Sequence, residues 1–366
     1  MTERSDAVFM ARALGLARRG WYSTRPNPRV GCVIVRDGAV VGEGWHQRAG
    51  GDHAEVAALA AAGDRARGAT AYVSLEPCNH QGRTPPCTRA LIAAGIARVV
   101  HGAHDPHRIA SGGVAALLDA GLAVDGPVLE AECRALNPGF FANCERGRPR
   151  VTLKIAASLD GRTAMASGES RWITGAAARR DVQRLRAASG AIVTGIGTVL
   201  ADDPALTVRG GELELPAGCA GPVDQPLRVV VDSHLRTRDD LRILREPGAV
   251  LIATAGASRE IPGAQLIALP DADGRVDLDA LLRHLGSRQC HDVLVEAGAR
   301  LAGAFLNAGL VDELVLYVAP KLLGSSGWPL ATLPFTRLAE AIDLTVTDVR
   351  AVGDDWRFTA LPRRKN

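Results

Sequence analysis

The sequence predicts an α/β protein of two domains, 1–147 and 148–366, on three observations. Short apolar, β-rich runs alternate with helical patterns of about ten residues in both halves. The chain has 366 residues, more than one core ordinarily takes. Between the halves, Cys144-Glu-Arg-Gly-Arg-Pro-Arg150 is polar and carries Gly and Pro, the composition of a linker.

In the first block a helix with one apolar side runs over Val8–Arg18. A hairpin follows, Val30–Val35 and Val40–Trp45, because Asp37-Gly38 tolerates the positive φ of a tight turn. Then come helix His53–Ala62, strand Ala71–Leu75, helix Pro86–Ala94, strand Arg98–Gly102 and helix Gly113–Ala120. Such alternation implies a sheet covered on both faces. The second block opens on strand Val151–Ala157. Helices are expected at Ala177–Ala188, Leu278–Arg288 and Leu301–Ala308, and strands at Ala191–Thr194, Leu227–Asp232, Val250–Ala253, Asp292–Glu296 and Glu313–Ala319.

Composition narrows the function. With 47% hydrophobic and 23% charged residues the chain is globular, not disordered or fibrous. A formal charge of +3, with basic residues scattered, leaves no electrostatic footprint for nucleic acid. No apolar run approaches bilayer length, and the N-terminus lacks the layout of a signal peptide. Seven irregularly spaced cysteines argue against a disulfide framework and for a reducing, cytoplasmic setting, with metal ligation or plain burial as their uses.

Three segments carry the chemistry: His53-Ala-Glu55, Pro77-Cys78 and Pro85-Pro86-Cys87. Catalytic zinc takes three protein ligands and keeps one position open, which His53, Cys78 and Cys87 satisfy. Pro86 suits the first turn of a helix, putting Cys87 where the macrodipole favours a thiolate. Glu55 then shuttles protons for a zinc-activated water, and His-x-Glu with later Pro-Cys and Cys is the zinc-deaminase signature. The plainer alternatives are definite. Asp52 and Glu55 have capping-box spacing, His53 suits a surface, and both cysteines suit a core. His80 would close the site as a fourth ligand, making the zinc purely structural.

Eight residues separate Cys78 from Cys87, and the loop carries His80 and Arg83, the latter a phosphate grip or a solvated arginine. With Pro26-Asn-Pro-Arg-Val-Gly-Cys32, Gly44-Trp-His-Gln-Arg-Ala-Gly50 and Pro77-Cys-Asn-His-Gln-Gly-Arg-Thr-Pro-Pro-Cys87, the chain resembles the bifunctional riboflavin-biosynthesis deaminase/reductases. That resemblance implies a cytidine-deaminase-like three-layer domain. It also implies that Asn27, His46, Asn79, His80 and Arg83 line a pyrimidine and phosphoribosyl pocket. Without it, Asn27 reads as a turn residue between prolines.

In the second block, Gly195-Ile-Gly-Thr198 and Glu296-Ala-Gly-Ala-Arg-Leu-Ala-Gly303 are phosphate cradles or tight turns, and neither is a Gly-x-Gly-x-x-Gly fingerprint. Lys154 within an apolar strand must function or reach the surface. The stretches Lys154–Thr174, Thr198–Arg209 and Val295–Gly298 also resemble the family's reductase domain, which is similar in fold to dihydrofolate reductase and uses NADPH. The resemblance implies cofactor contacts from Ala156, Trp172, Thr198, Asp202, Ser233, Gly298, Ala299, Arg300, Leu301, Ala302, Gly303 and Ala304. It implies substrate contacts from Ser170, Arg186, Leu206, Arg209 and Glu296. As planar permanent cations, Arg186 and Arg209 suit phosphate, their alternatives being a solvated helix face and a strand-end charge. Arg236 and Arg238 lend weak support to a 2′-phosphate contact.

By the same resemblance one zinc ion per chain serves deamination of 2,5-diamino-6-ribosylamino-4(3H)-pyrimidinone 5′-phosphate, and NADPH then reduces the ribosyl chain to ribityl, with Lys154 catalytic. Two other functions remain open at this level. One is a base deaminase on nucleic acid with a C-terminal binding module; the other is a zinc-stabilised scaffold without catalysis. Oligomeric state, a homo-oligomer included, is not set by the sequence.

Overall fold

Strand alternation builds the first unit. The computed structural model describes residues 3–81, 85–219 and 223–363. The elements of the first unit are α1 (Glu3–Ala17), β1 (Gly31–Arg36), β2 (Ala39–Trp45), α2 (Ala54–Ala62), β3 (Thr70–Val73), α3 (Cys87–Ala93), β4 (Arg98–His101), α4 (Gly113–Asp119), β5 (Ala123–Asp125), α5 (Glu130–Leu136) and α6 (Pro138–Arg146). Five strands lie in the order β2-β1-β3-β4-β5. Along β1, Val33 and Val35 pack with Met10, Leu14 and Phe140 on one face. Cys32 and Ile34 pack with Ala54, Ala58 and Leu91 on the other. The period of two thus places α1, α5 and α6 on one side and α2, α3 and α4 on the other, in three layers. The Asp37-Gly38 turn has positive φ at both residues, 51° and 78°, as the hairpin requires.

The second unit contains β6 (Arg150–Ser158), β7 (Arg162–Ala164), α7 (Ala176–Ala188), β8 (Ala191–Gly195), α8 (Ile196–Asp202), β9 (Leu227–Val231), α9 (Arg242–Arg245), β10 (Val250–Thr254), β11 (Gln265–Ala268), α10 (Leu278–Ser287), β12 (Asp292–Glu296), α11 (Ala299–Asn307), β13 (Glu313–Ala319), β14 (Trp328–Pro329), β15 (Leu344–Val352) and β16 (Asp355–Pro362). Nine strands run β11-β10-β9-β8-β12-β6-β13-β16-β15. They are parallel as far as β13, and β16 and β15 are antiparallel. After β6 the chain builds outward from β8, then returns to insert β12 beside β6. Ligands of open α/β sheets bind beyond the strand ends at such a reversal.

Two expectations need correcting. The polar Cys144–Arg150 stretch is not a linker throughout, since its first residues finish α6 and its last opens β6. Nor is the division a single cut at 147/148. The units are Met1–Glu145 with Leu215–Asp224, and Arg146–Glu214 with Gln225–Asn366. Hydrogen bonds hold the excursion to the first unit: Arg25 Nη2 donates to the carbonyl of Asp224 at 2.6 Å, and the Cys219 thiol to that of Arg18 at 3.6 Å.

Helix α2, which bears Glu55, lies close on β2 because β2 carries glycine where they meet. A Cβ on Gly44 would fall 2.4 Å from Ala54 O and from Ala58 N, both backbone. Gly44→Ala should therefore destabilise the protein by ~1–3 kcal/mol, the cost of overpacking. Gly15→Ala in α1, which meets nothing within 4 Å, should be neutral or mildly stabilising. Urea unfolding monitored by circular dichroism compares the two.

Candidate active sites

In the first unit a β-strand end and two helix starts converge. His53 is the N-cap of α2, Cys87 is the first residue of α3 after the N-cap Pro86, and Cys78 lies beyond the end of β3. His53 Nδ1 sits 3.2 Å from Cys87 Sγ and 3.6 Å from Cys78 Sγ, and the three donor atoms lie within 4.8 Å of one another. Bonds of about 2.0–2.3 Å to one zinc ion, at tetrahedral angles, separate their donors by about 3.5 Å, so this set fits zinc. His80 is not part of the group, which among the described residues leaves three protein donors, as a catalytic zinc takes. Hydrogen bonding from Cys87 pulls Cys78 down to about 4, and the same contact pushes Cys87 well above the usual thiol range.

Glu55 is 3% exposed in the first turn of α2, and it does not form a capping box with Asp52, because the N-cap is His53 with no side-chain cap bond. Burial, then the Cys78 thiolate, raise its carboxyl to about 7. His46 is buried with its ring 5.3 Å from that of His53. Its Nδ1 lies 2.9 Å from Asp52 O and its Nε2 lies 3.0 Å from Asn27 Nδ2. A carbonyl only accepts, so His46 donates through Nδ1, and in the neutral ring that burial favours Nε2 accepts from Asn27. Asn27 is therefore no mere turn residue. Exposed Asn79 accepts from Thr88 Oγ1 at 2.9 Å, half-buried His80 leaves Nδ1 without a partner, and Arg83 lies outside the described residues.

Glu76 was missed, although it directly precedes Pro77-Cys78. Its buried carboxylate accepts from Val114 N at 3.0 Å, His104 Nδ1 at 3.2 Å and Asp105 N at 3.3 Å. It thereby ties the Cys78 loop to the segment leading into α4, whose Gly113 has no room for a Cβ against Pro77 O.

In the second unit a cavity of about 2240 Å³ opens at the strand reversal. Typical small-molecule sites take about 300–1,000 Å³, so a dinucleotide and a sugar phosphate fit together here. Lys154, Ala156, Ser170, Trp172, Arg186, Thr198, Asp202, Leu206, Arg209, Ser233, Glu296, Gly298, Ala299, Arg300, Leu301, Gly303 and Ala304 line it. Ala302 does not; it is wholly buried in the core, because that side of α11 faces the sheet. The two expected glycine loops are helix starts, Gly195 and Gly298 being the N-caps of α8 and α11. Gly298 N donates to Thr198 Oγ1 at 3.2 Å, joining them. Such starts present unpaired N–H groups to phosphate. Arg236 lines the cavity, whereas Arg238 does not and instead pairs with Asp240 at 3.0 Å. Gln183 of α7 was also missed. It lines the cavity and accepts from Arg209 N at 3.0 Å.

Lys154 and Glu296 are register neighbours on β6 and β12. Lys154 Nζ lies 3.7 Å from Glu296 Oε2. Burial lowers the Lys154 ammonium, opposed by the carboxylate. Burial opposes the charge on Glu296 too, but Arg186 and Lys154 outweigh it and hold the carboxyl at about 2. Arg186 is buried and engaged within the protein rather than part of a solvated face. Nε donates to Glu296 Oε1 at 2.6 Å, Nη2 to Oε2 at 3.1 Å and Nη1 to Thr207 O at 3.0 Å.

Comparison with known proteins assigns a family to each part of the chain. Residues 3–103 match the cytidine and deoxycytidylate deaminase zinc-binding region, and residues 149–358 match the RibD C-terminal domain. Riboflavin biosynthesis protein RibD of Escherichia coli (strain K12) is 53% identical, covering 96% of this chain and 97% of that one. A solved structure of Acinetobacter baumannii RibD is 45% identical with a TM-score of 0.92, covering 99% of this chain and 100% of that one. A Thermotoga maritima structure described as a diaminohydroxyphosphoribosylaminopyrimidine deaminase/5-amino-6-(5-phosphoribosylamino)uracil reductase is 33% identical, covers 99% of both chains and has a TM-score of 0.87. The chain belongs to the RibD family of riboflavin-biosynthesis proteins, a deaminase with a zinc-binding domain joined to a reductase of the NADPH-binding type.

Proposed function

We propose that the first unit deaminates 2,5-diamino-6-ribosylamino-4(3H)-pyrimidinone 5′-phosphate and that the second reduces the ribosyl chain of the product to ribityl. These are the activities named for the Thermotoga relative. The observation that carries the first step is the convergence of His53, Cys78 and Cys87 beside the buried Glu55. Zinc held by those three residues supplies Lewis-acid activation of water. Glu55 takes the proton the water loses, returns it to the ring nitrogen and helps the amino group leave as ammonia. Asn27 and His46, joined to each other beside His53, orient the pyrimidine. Asn79, His80 and Arg83 complete the phosphoribosyl side. Seven free cysteines and the use of NADPH support a cytoplasmic setting.

For the second step NADPH supplies the hydride. The helix starts at Gly195 and Gly298, with Thr198 between them, suit its phosphates. Ala156, Trp172, Asp202, Ser233 and Arg300 complete its surroundings. Ser170, Arg186, Leu206, Arg209 and Glu296 face the sugar phosphate. Lys154 donates the proton that the reduced product gains, so its ammonium must be intact in the reactive state.

Three outcomes follow. Glu55→Gln should abolish ammonia release while metal analysis still finds zinc and the far-ultraviolet circular dichroism is unchanged; full turnover would remove Glu55 from the mechanism. Lys154→Ala should stop NADPH oxidation on deaminated substrate but leave deamination intact, and equal loss of both would contradict two separate sites. The third is a pH effect. Burial already sets the Lys154 ammonium below the usual lysine range, and the Glu296 charge raises it again. Glu296→Gln should therefore shift the alkaline limb of the reductase rate to lower pH. An upward shift would show that Lys154 is not the titrating donor.

A further inference from the structure

The three zinc donors are not held with equal firmness by their own elements. His53 is the N-cap of α2 and Cys87 the first residue of α3, so a helix start fixes each of these two. Cys78 belongs to no helix or strand. It stands in the irregular stretch between β3 and α3, so its place has to come from tertiary bonds. Helix α3 supplies two of them: Thr88 N donates to the Cys78 carbonyl at 3.3 Å, and Thr88 Oγ1 to Asn79 Oδ1 at 2.9 Å. Others come from the segment 103–114. Glu76 N donates to Ala103 O at 2.8 Å, and Asn79 N to Ala110 O at 3.0 Å.

The Glu76 side chain completes this second attachment, and its two oxygens divide the work. Oε1 accepts from Val114 N in the first turn of α4, and Oε2 from Asp105 N and His104 Nδ1. The His104 side chain is 59% exposed against 6% for Glu76, so the two backbone donors count for most. Backbone N–H groups of this kind are costly to leave without an acceptor. Pro77, between Glu76 and Cys78, has its φ fixed by its ring. Gly113 also presses on it, since a Cβ there would lie 1.8 Å from the Pro77 carbonyl. A displacement of Glu76 therefore passes to Cys78 with little slack. We infer that Glu76 is a positioning residue for the metal: its carboxylate fastens the one zinc donor that no helix start holds, so the three donors are gathered before zinc arrives. This deepens the deaminase reading and rests on zinc at the site, whichever pyrimidine is the substrate.

The test measures the zinc affinity of the full-length protein by competition with a chromogenic chelator, alongside thermal melting. Groups that orient metal ligands contribute about 10–100-fold to metal affinity, and Glu76→Gln should raise the zinc dissociation constant by that factor. A single amide oxygen cannot serve both sets of donors, and the amide NH2 meets whichever set is left. Gly113→Ala keeps the carboxylate but displaces Pro77, and should weaken zinc as well. Unchanged affinity there would trace the Glu76 effect to charge alone and overturn the positioning role. Asp6→Asn controls for general loosening of the first unit, because buried Asp6 accepts from Tyr72 and Arg98 rather than from the Cys78 loop. It should lower the melting temperature while zinc binds as in wild type. A zinc loss in Asp6→Asn equal to that in Glu76→Gln would make Glu76 an ordinary stabilising residue and overturn the inference, as would unchanged affinity in Glu76→Gln. If Gly113→Ala does not fold, the other two variants decide. Wild-type protein without affinity for zinc would overturn the metal site itself, a failure visible before any variant is made.

Discussion

A carboxylate taken out of water must be neutralised, clamped or protonated, and both reaction centres are organised around that constraint. Glu55 and Glu296 are both removed from solvent, yet their surroundings drive them apart. Glu55 sits near sulfur ligands and is raised to about 7. Glu296 sits between Arg186 and Lys154 and is held at about 2. One residue type thus titrates near neutrality in one unit and is a fixed negative charge in the other, with the difference set by neighbours rather than by residue type.

Those neighbours arrive by different routes, which explains what could be read in advance. The zinc donors lie within 35 consecutive positions and are flagged by prolines, so His53, Cys78 and Cys87 were legible from residue type and spacing alone. The two strand-helix series were legible too, because their apolar periods match buried faces. The clamp on Glu296 was not. It joins α7, β12 and β6, more than 100 positions apart at its widest, and only the parallel register of β6 with β12 makes them neighbours. From its charge Arg186 therefore read as a phosphate ligand or a solvated helix face, and its fork onto Glu296 was not foreseen.

Other departures share that physical origin. The glycines at 195 and 298 signalled loops, because in sequence a glycine that caps a helix cannot be told from one that turns a chain. Strand β15 escaped notice because eight of its nine residues are exposed, so no buried face marks its period. Ala302 followed its neighbours into the cofactor set by position along the chain, although α11 turns it into the core. Glu76 escaped because a lone acid beside a proline carries no period at all. Its importance lies in three donors gathered from a segment roughly thirty residues on.

The excursion 215–224 has a consequence for how such a protein can be taken apart. Because it leaves the second unit between α8 and β9 and bonds to Arg18 and Arg25, the polypeptide passes from one unit to the other three times rather than once. A stop codon placed after α6 would yield a fragment stripped of a strap that its own N-terminal region holds. The complementary fragment would carry that strap with nothing to fasten it to. Fusion in one reading frame is thus written into the geometry of the first unit, and is more than a tether between two independent catalysts.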